Sequence, residues 1–253
     1  ECPACEKGLY NLCKHRKNIG GGMNGAFTSY IRVPTRFMHA LPDNITLNQA
    51  ALIEPTCVSY NVTKVNSRIN EGDRVVIIGA GTIAILCLKF ALLEGASVTI
   101  IGLPKDKMQL ELAHRLGANL VLTTSEPVVE QVLDSTNGFG APLVIDTVGG
   151  VSQTIDDSVA MVAPGGQITK VGWFMKPLDL NLDLLVRKNI TLQGSFSHNY
   201  QIWEDVIALL SSGQLTVEDI ITEVMPLDQW PQAYDLLMQR KALKILLKPD
   251  TQG

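Results

Sequence analysis

The chain has 253 residues, 46% of them apolar and 18% charged, enough apolar material for one large α/β unit or two modest domains with buried cores. Its net charge of −4, with no basic block, excludes nucleic acid as a partner, and no apolar run reaches the ~18 residues of a membrane span.

Three of the five cysteines, Cys2, Cys5 and Cys13, crowd into the first thirteen residues; Cys57 and Cys87 stand apart. The spacing places three soft ligands in one loop, where a structural zinc takes four in a tetrahedron. The pattern reads as a zinc site or as unrelated surface cysteines. His15 is a stand-in for the fourth ligand, though such a histidine is more often a surface one. Ahead of an α/β pattern, clustered cysteines indicate metal in a reducing, cytoplasmic setting more than disulfides. The opening Glu-Cys-Pro-Ala-Cys has no signal-peptide pattern. It lies inside the cysteine cluster and lacks an initiating Met, so the chain reads as a fragment or as a protein that has lost its N-terminal part. Residues 1–55 would then leave apolar surface uncovered and be poorly ordered or rearranged.

Gly20-Gly21-Gly22 and Asn24-Gly25 mark turns. Phe27 to Val33 alternates like a half-buried strand, and Leu47 to Ala51 reads as a short helix with Asn44 and Thr46 as caps. From about residue 73, strands at 74–79, 97–101, 119–122, 142–147, 167–172 and 190–196 alternate with helices such as 82–94 and 105–116. Val75 to Ile78 and Leu143 to Ile145 are continuous apolar runs, as in strands covered on both faces by helices. The expectation is an α/β fold with a doubly wound, six-stranded parallel Rossmann sheet. A helix at 200–210, a strand near 221–225, a helix at 228–239 and a strand at 243–247 exceed what that sheet needs. They are expected to return to the first domain. The predicted organisation is therefore a dinucleotide-binding domain over 56–197 and a discontinuous substrate domain over 1–55 and 198–253.

The first strand of the sheet ends on Gly79-Ala80-Gly81-Thr82-Ile83-Ala84. Gly79 permits the tight turn, Gly81 lets a pyrophosphate approach the backbone, and Ala84 lets helix and strand pack closely. The amides at the helix start, with Thr82 and Ile83, face the phosphates. An acidic residue about 20 positions on usually grips the adenosine ribose of NAD. Here the second strand ends on Gly102, and Lys105 and Lys107 follow. A missing carboxylate and two lysines suit a 2′-phosphate, tilting the choice between NADP and NAD to NADP. Two other readings of that loop are open: the lysines as a solvated helix start, and Asp106 as a cap or ribose ligand.

Taken together these residues resemble the zinc-dependent medium-chain alcohol and polyol dehydrogenases, with the sorbitol and threonine dehydrogenase branch nearest. The resemblance rests on Cys2, Cys5 and Cys13, on Ala51-Leu52-Ile53-Glu54-Pro55, on the fingerprint, on Asp146-Thr147-Val148-Gly149, Val171-Gly172 and Gly194-Ser195-Phe196-Ser197, and on Ala242-Leu243-Lys244-Ile245-Leu246. It implies that the cysteines are the last three of four structural-zinc ligands. It further implies that Glu54 is a ligand of a catalytic zinc or a glutamate reaching the metal or its water; without the other motifs, Glu54 reads as a solvent-facing glutamate before Pro55. Gly102, Val148, Val171, Ser195, Phe196 and Ser197 would line the cofactor, with Val171, Ser195 and Ser197 placing the carboxamide, Thr56 and Val58 bordering the ring, and Lys244 lying toward the pyrophosphate. The substrate domain would be a GroES-like, β-rich one, partly missing.

The implied activity is hydride transfer between a nicotinamide cofactor and a secondary alcohol or polyol, with zinc, in a homo-oligomer (dimer or tetramer). The family's catalytic cysteine and His-Glu pair have no counterpart in these residues. The alternative is therefore a non-catalytic or truncated NAD(P)-binding protein. A zinc-independent reductase of the superfamily is disfavoured by the cysteine cluster.

Overall fold

The computed structural model describes residues 2–174, 177 and 180–249. The chain divides into two compact units, one made of Glu1–Cys57 and Ser197–Gly253, the other of Val58–Phe196.

The first unit opens with the short helix α1 (Pro3–Glu6) and two very short strands, β1 (Asn18–Ile19) and β2 (Gly22–Met23). The strand expected over Phe27 to Val33 is not formed. Phe27, Tyr30 and Ile31 are exposed, and among the described residues no neighbour pairs with that segment. Alternation alone does not make a strand, because its N–H and C=O groups need a ladder partner. Helix α2 (Leu47–Ala50) is capped by Thr46, whose hydroxyl takes the Gln49 amide proton while the Gln49 side chain accepts from the Thr46 amide. Asn44 does not cap it; its side chain donates to the Ser211 carbonyl instead (2.8 Å). Helix α3 (Ile53–Tyr60) follows.

In the second unit, α3 runs into one wide turn of π-helix, Asn61–Val65, before the sheet begins. Its strands and helices alternate: β3 (Arg74–Ile78), α4 (Thr82–Leu93), β4 (Ser97–Gly102), α5 (Lys107–Arg115), β5 (Leu120–Thr123), α6 (Val128–Ser135), β6 (Ala141–Asp146), α7 (Gln153–Met161), β7 (Val162–Lys170), α8 (Leu182–Lys188) and β8 (Thr191–Gly194). The six strands pair in parallel in the order β5-β4-β3-β6-β7-β8. This is the doubly wound sheet that the apolar runs predict. Both faces of β3 are covered. Val76 and Ile78 join a core with Ile101, Val144, Val159 and Ile168. On α4, Ala84 to Ala91 is buried throughout, as a helix apolar on every side requires.

The tail belongs to the first unit. It comprises α9 (Tyr200–Ser211), β9 (Ile221–Pro226), α10 (Trp230–Met238) and β10 (Lys244–Lys248). Strands β9 and β10 pair in parallel, with Met225, Ala233, Ala242 and Ile245 forming their core. The β character of this unit is confined, among the described residues, to these four strands. No helix among the described residues is long and apolar enough to cross a membrane.

Candidate cofactor and metal sites

Strand order reverses at β3 and β6. The chain winds outward through β4 and β5 on one side and through β7 and β8 on the other. A crevice at the carboxyl ends of the strands is the ligand position of such sheets. The Gly79–Thr82 turn stands there, and its two glycines do different work. Gly79 has φ +112° and donates to the Ile101 carbonyl (2.7 Å); a Cβ on it would fall 2.3 Å from the Thr147 hydroxyl. Thr147 in turn ties the two switch-point strands by donating its hydroxyl to the Ile78 carbonyl (2.8 Å). Gly81 is exposed at the N-cap of α4, and nothing lies within 4 Å of where its Cβ would be. The fold does not need a glycine at 81. The open space there fits a group brought against the first amides of α4, where Thr82 and Ile83 sit partly exposed.

The other expected cofactor residues of this unit gather along the same edge of the sheet. Gly102 ends β4, where a Cβ would press on Ala80 and Leu110 at 3.0 Å. Lys105 and Lys107 are exposed beside it. Asp106 is buried, and its carboxylate accepts the Leu103 amide proton (3.0 Å). That bond closes the loop on itself: the Asp106 carboxylate lies against the tip of β4 and makes no side-chain cap of α5. Val148 and Val171 follow β6 and β7, half-buried. Ser195 is buried beyond β8, and its hydroxyl accepts from the Asn66 side chain (3.0 Å), while Phe196 stacks against Trp173 (5.5 Å between centroids).

One pair that shapes this edge escaped the sequence reading. Asp146, fully buried, accepts from the Val148 amide (2.9 Å), the Thr154 hydroxyl (2.9 Å) and Lys170 Nζ (2.8 Å). Lys170 also donates to the Val148 carbonyl. A carboxylate ending an apolar strand was the available signal, since a buried charge demands a partner.

In the first unit, Cys2, Cys5 and Cys13 bring their sulfurs within 4.8 Å of one another, with Cys2 and Cys5 at 3.6 Å. Zinc–sulfur bonds of about 2.3 Å in a tetrahedron set sulfurs about 3.8 Å apart, so the donor set fits three corners of a structural zinc site. The Cys2 thiol is pulled down to about 7, first by the hydrogen bond from the Cys5 backbone. Cys5 moves up, because the pull of the Cys2 backbone is outweighed by the neighbouring thiols and burial. The His15 backbone amide points at the Cys13 sulfur (3.4 Å).

Glu54 lies in the first turn of α3 with its side chain 59% exposed. Its Oε1 stands 3.1 Å from His198 Nε2. Trp203 Nε1 donates to His198 Nδ1 (2.9 Å), and the His39 ring stacks on Trp203 (5.0 Å, 7°) while its Nδ1 meets Glu204 (2.6 Å). The hydrogen bond from His198, the largest influence, holds the Glu54 carboxyl below its usual value against the opposing effect of burial. Lys244 opens β10, and Ser197 begins the tail with φ +56°. Among the described residues, the three cysteines are the only group of three or more metal-ligating side chains. Among the described residues, Glu54 pairs with His198 and belongs to no group of three metal-ligating side chains. His198 meets Glu54 only through tertiary folding, and Trp203 meets His198. Thr56 turns its hydroxyl to the Leu52 carbonyl (2.7 Å).

A family model described as "Zinc-binding dehydrogenase" matches residues 79–212. The chain is 32% identical to D-arabitol-phosphate dehydrogenase of Enterococcus avium, across 100% of this chain and 72% of that protein. It is 31% identical to sorbitol dehydrogenase of Halalkalibacterium halodurans, across 98% and 73%. Among solved structures, the alcohol dehydrogenase of Thermus sp. ATN1 superimposes with a TM-score of 0.92 at 30% identity, covering 98% of this chain and 75% of that one.

Proposed function

The chain belongs to the zinc-binding dehydrogenases, and from that premise we propose that it is an oxidoreductase that passes a hydride between a polyol, or another secondary alcohol, and a nicotinamide dinucleotide. The observation that carries this reading is the open space over Gly81 at the start of α4, beside a Gly79 that the fold itself requires. When bound, the nicotinamide supplies the hydride acceptor. The amides of Gly81 and Thr82 receive the pyrophosphate. Val148, Val171, Ser195 and Phe196 set the shape of the strand edge along which the cofactor lies. The Ser195 hydroxyl accepts from Asn66 and keeps its own O–H to donate. Glu54 offers an ionised carboxylate to the substrate side. Cys2, Cys5 and Cys13 hold a structural zinc.

For the cofactor we favour NADP. Asp106 is buried with one oxygen on the Leu103 amide, whereas Lys105 and Lys107 stand exposed beside Gly102. Titration with NADPH and NADH tests this. NADPH should bind more tightly, and reversing both lysines to Glu should weaken NADPH by about tenfold or more while sparing NADH, the scale of two exposed charge-assisted contacts. Equal binding of the two dinucleotides by the unaltered protein would refute the preference.

A second reading has one observation in its favour. Among the described residues no three metal-ligating groups meet at Glu54. A chain that binds the dinucleotide without turning over alcohol would satisfy that geometry. Binding of NADPH with no reduction of NADP by sorbitol would select it.

A further inference from the structure

We propose that His198 is the positioning residue for Glu54, acting as a fixed hydrogen-bond donor and neither as a metal ligand nor as a base; this rests on the dehydrogenase reading, in which Glu54 faces the substrate. Trp203 fixes the tautomer of His198. An indole N–H only donates, so the 2.9 Å bond from Nε1 makes His198 Nδ1 the acceptor. A neutral imidazole that accepts at Nδ1 carries its proton on Nε2. That nitrogen lies 3.1 Å from Glu54 Oε1, and an ionised carboxylate only accepts. The ring is thereby held at both ends in one tautomer. A metal at Nε2 would have to displace that proton, and a base would need a nitrogen with a free lone pair. Neither is available.

The holder is itself held. His39 lies flat against the Trp203 indole, 5.0 Å away at 7°, and is anchored to Glu204. The His198 ring meets the indole edge-on, at 5.4 Å and 80°. His198 is largely buried, its side chain 16% exposed, whereas Glu54 is 59% exposed. A buried donor that grips one oxygen of an exposed carboxylate fixes the direction in which the other oxygen points. The two residues are 144 positions apart, so the pair is a product of the tertiary fold. Consistent with a donor that favours the charged form, the Glu54 carboxyl is held below its usual value.

The proposal separates His198→Gln from His198→Leu. A glutamine amide offers the same pair of functions, an oxygen for Trp203 and an N–H for Glu54, and cannot act as an imidazole base. The experiment records ring-nitrogen spectra of the protein above the ordinary imidazole range, the Trp203 indole N–H signal, NADPH binding by nicotinamide fluorescence, and sorbitol oxidation. Expected are a proton on Nε2 with a bare Nδ1, and an indole signal that moves in H198L but stays close to its place in H198Q. The kcat should fall by about tenfold or more in H198L, the size of one charge-assisted hydrogen bond, and recover in H198Q, with NADPH affinity unchanged in both. A proton on Nδ1 overturns the proposal. So does equal loss of kcat in the two variants, which would mark a base, or no loss in either. If the unaltered protein binds no NADPH, it is the dehydrogenase reading that falls, and the ring spectra still decide the arrangement of Glu54, His198 and Trp203.

Discussion

Gly79 and Gly81 are two residues apart in one motif, yet substitution should affect them in opposite ways. At Gly79 the backbone lies at φ +112° and a Cβ would meet the Thr147 hydroxyl at 2.3 Å, so Gly79→Ala is expected to destabilise the second unit by about 1–3 kcal/mol. The urea midpoint measures this. At Gly81 a methyl group meets nothing, and the backbone is extended at φ −80°, ψ −178°. Gly81→Ala should leave the midpoint nearly unchanged and weaken NADPH by about tenfold or more, because the methyl fills the space that the pyrophosphate needs. A G81A protein that binds NADPH as the original does would remove the cradle from the site. The motif was legible as residues in order. Which glycine serves the fold and which serves a ligand was not, because that depends on what β6 brings opposite.

Among the elements, the β5–α6 connection shows how a short loop makes its own acid sensitivity. Glu126 accepts from the Thr123 amide (2.7 Å) and the Thr123 hydroxyl (2.8 Å), closing the turn between strand and helix. These bonds, the amide first, favour the ionised carboxyl and hold it below its usual value. Between that lowered value and the ordinary carboxylate value, the unfolded chain binds more protons than the folded one, so stability rises with pH. The contribution is complete above the ordinary value and is lost as pH falls through the lowered one. Urea midpoints of the original protein and of Glu126→Gln should differ at neutral pH and converge in acid. A constant difference across the range would contradict this account. Elements with strong local signals, such as β3 and α4, appear within a residue or two of their expected bounds. The segment at Phe27 to Val33 does not, since alternation reports the character of a face and not the presence of a partner strand.

At the largest scale, the two units carry separate chemistry, the cysteine cluster in one and the glycine turn in the other. Zinc should therefore act on the first unit alone. The protein is expected to bind about one zinc per chain at the cysteine loop. Cys5→Ser should abolish that binding and lower the unfolding temperature of the first unit, without altering NADPH affinity in the second. Zinc content together with calorimetry checks it; retained zinc in C5S would show that the three sulfurs are not the ligands.

Sequence was enough for the six-stranded α/β sheet and its glycine turn. Those depend on short-range signals: apolar runs of strand length, glycines at fixed offsets, and cap residues next to the turns they cap. It also showed three cysteines at metal-ligand spacing, but eleven extended residues can span over ~30 Å, so their sulfurs' approach to within 4.8 Å is the fold's work. Tertiary packing alone brings Lys170 to Asp146 and His198 to Glu54. A hydrogen bond needs its two atoms about 3 Å apart in a defined direction. For residues 24 or 144 positions apart along the chain, that condition is set by how the elements pack.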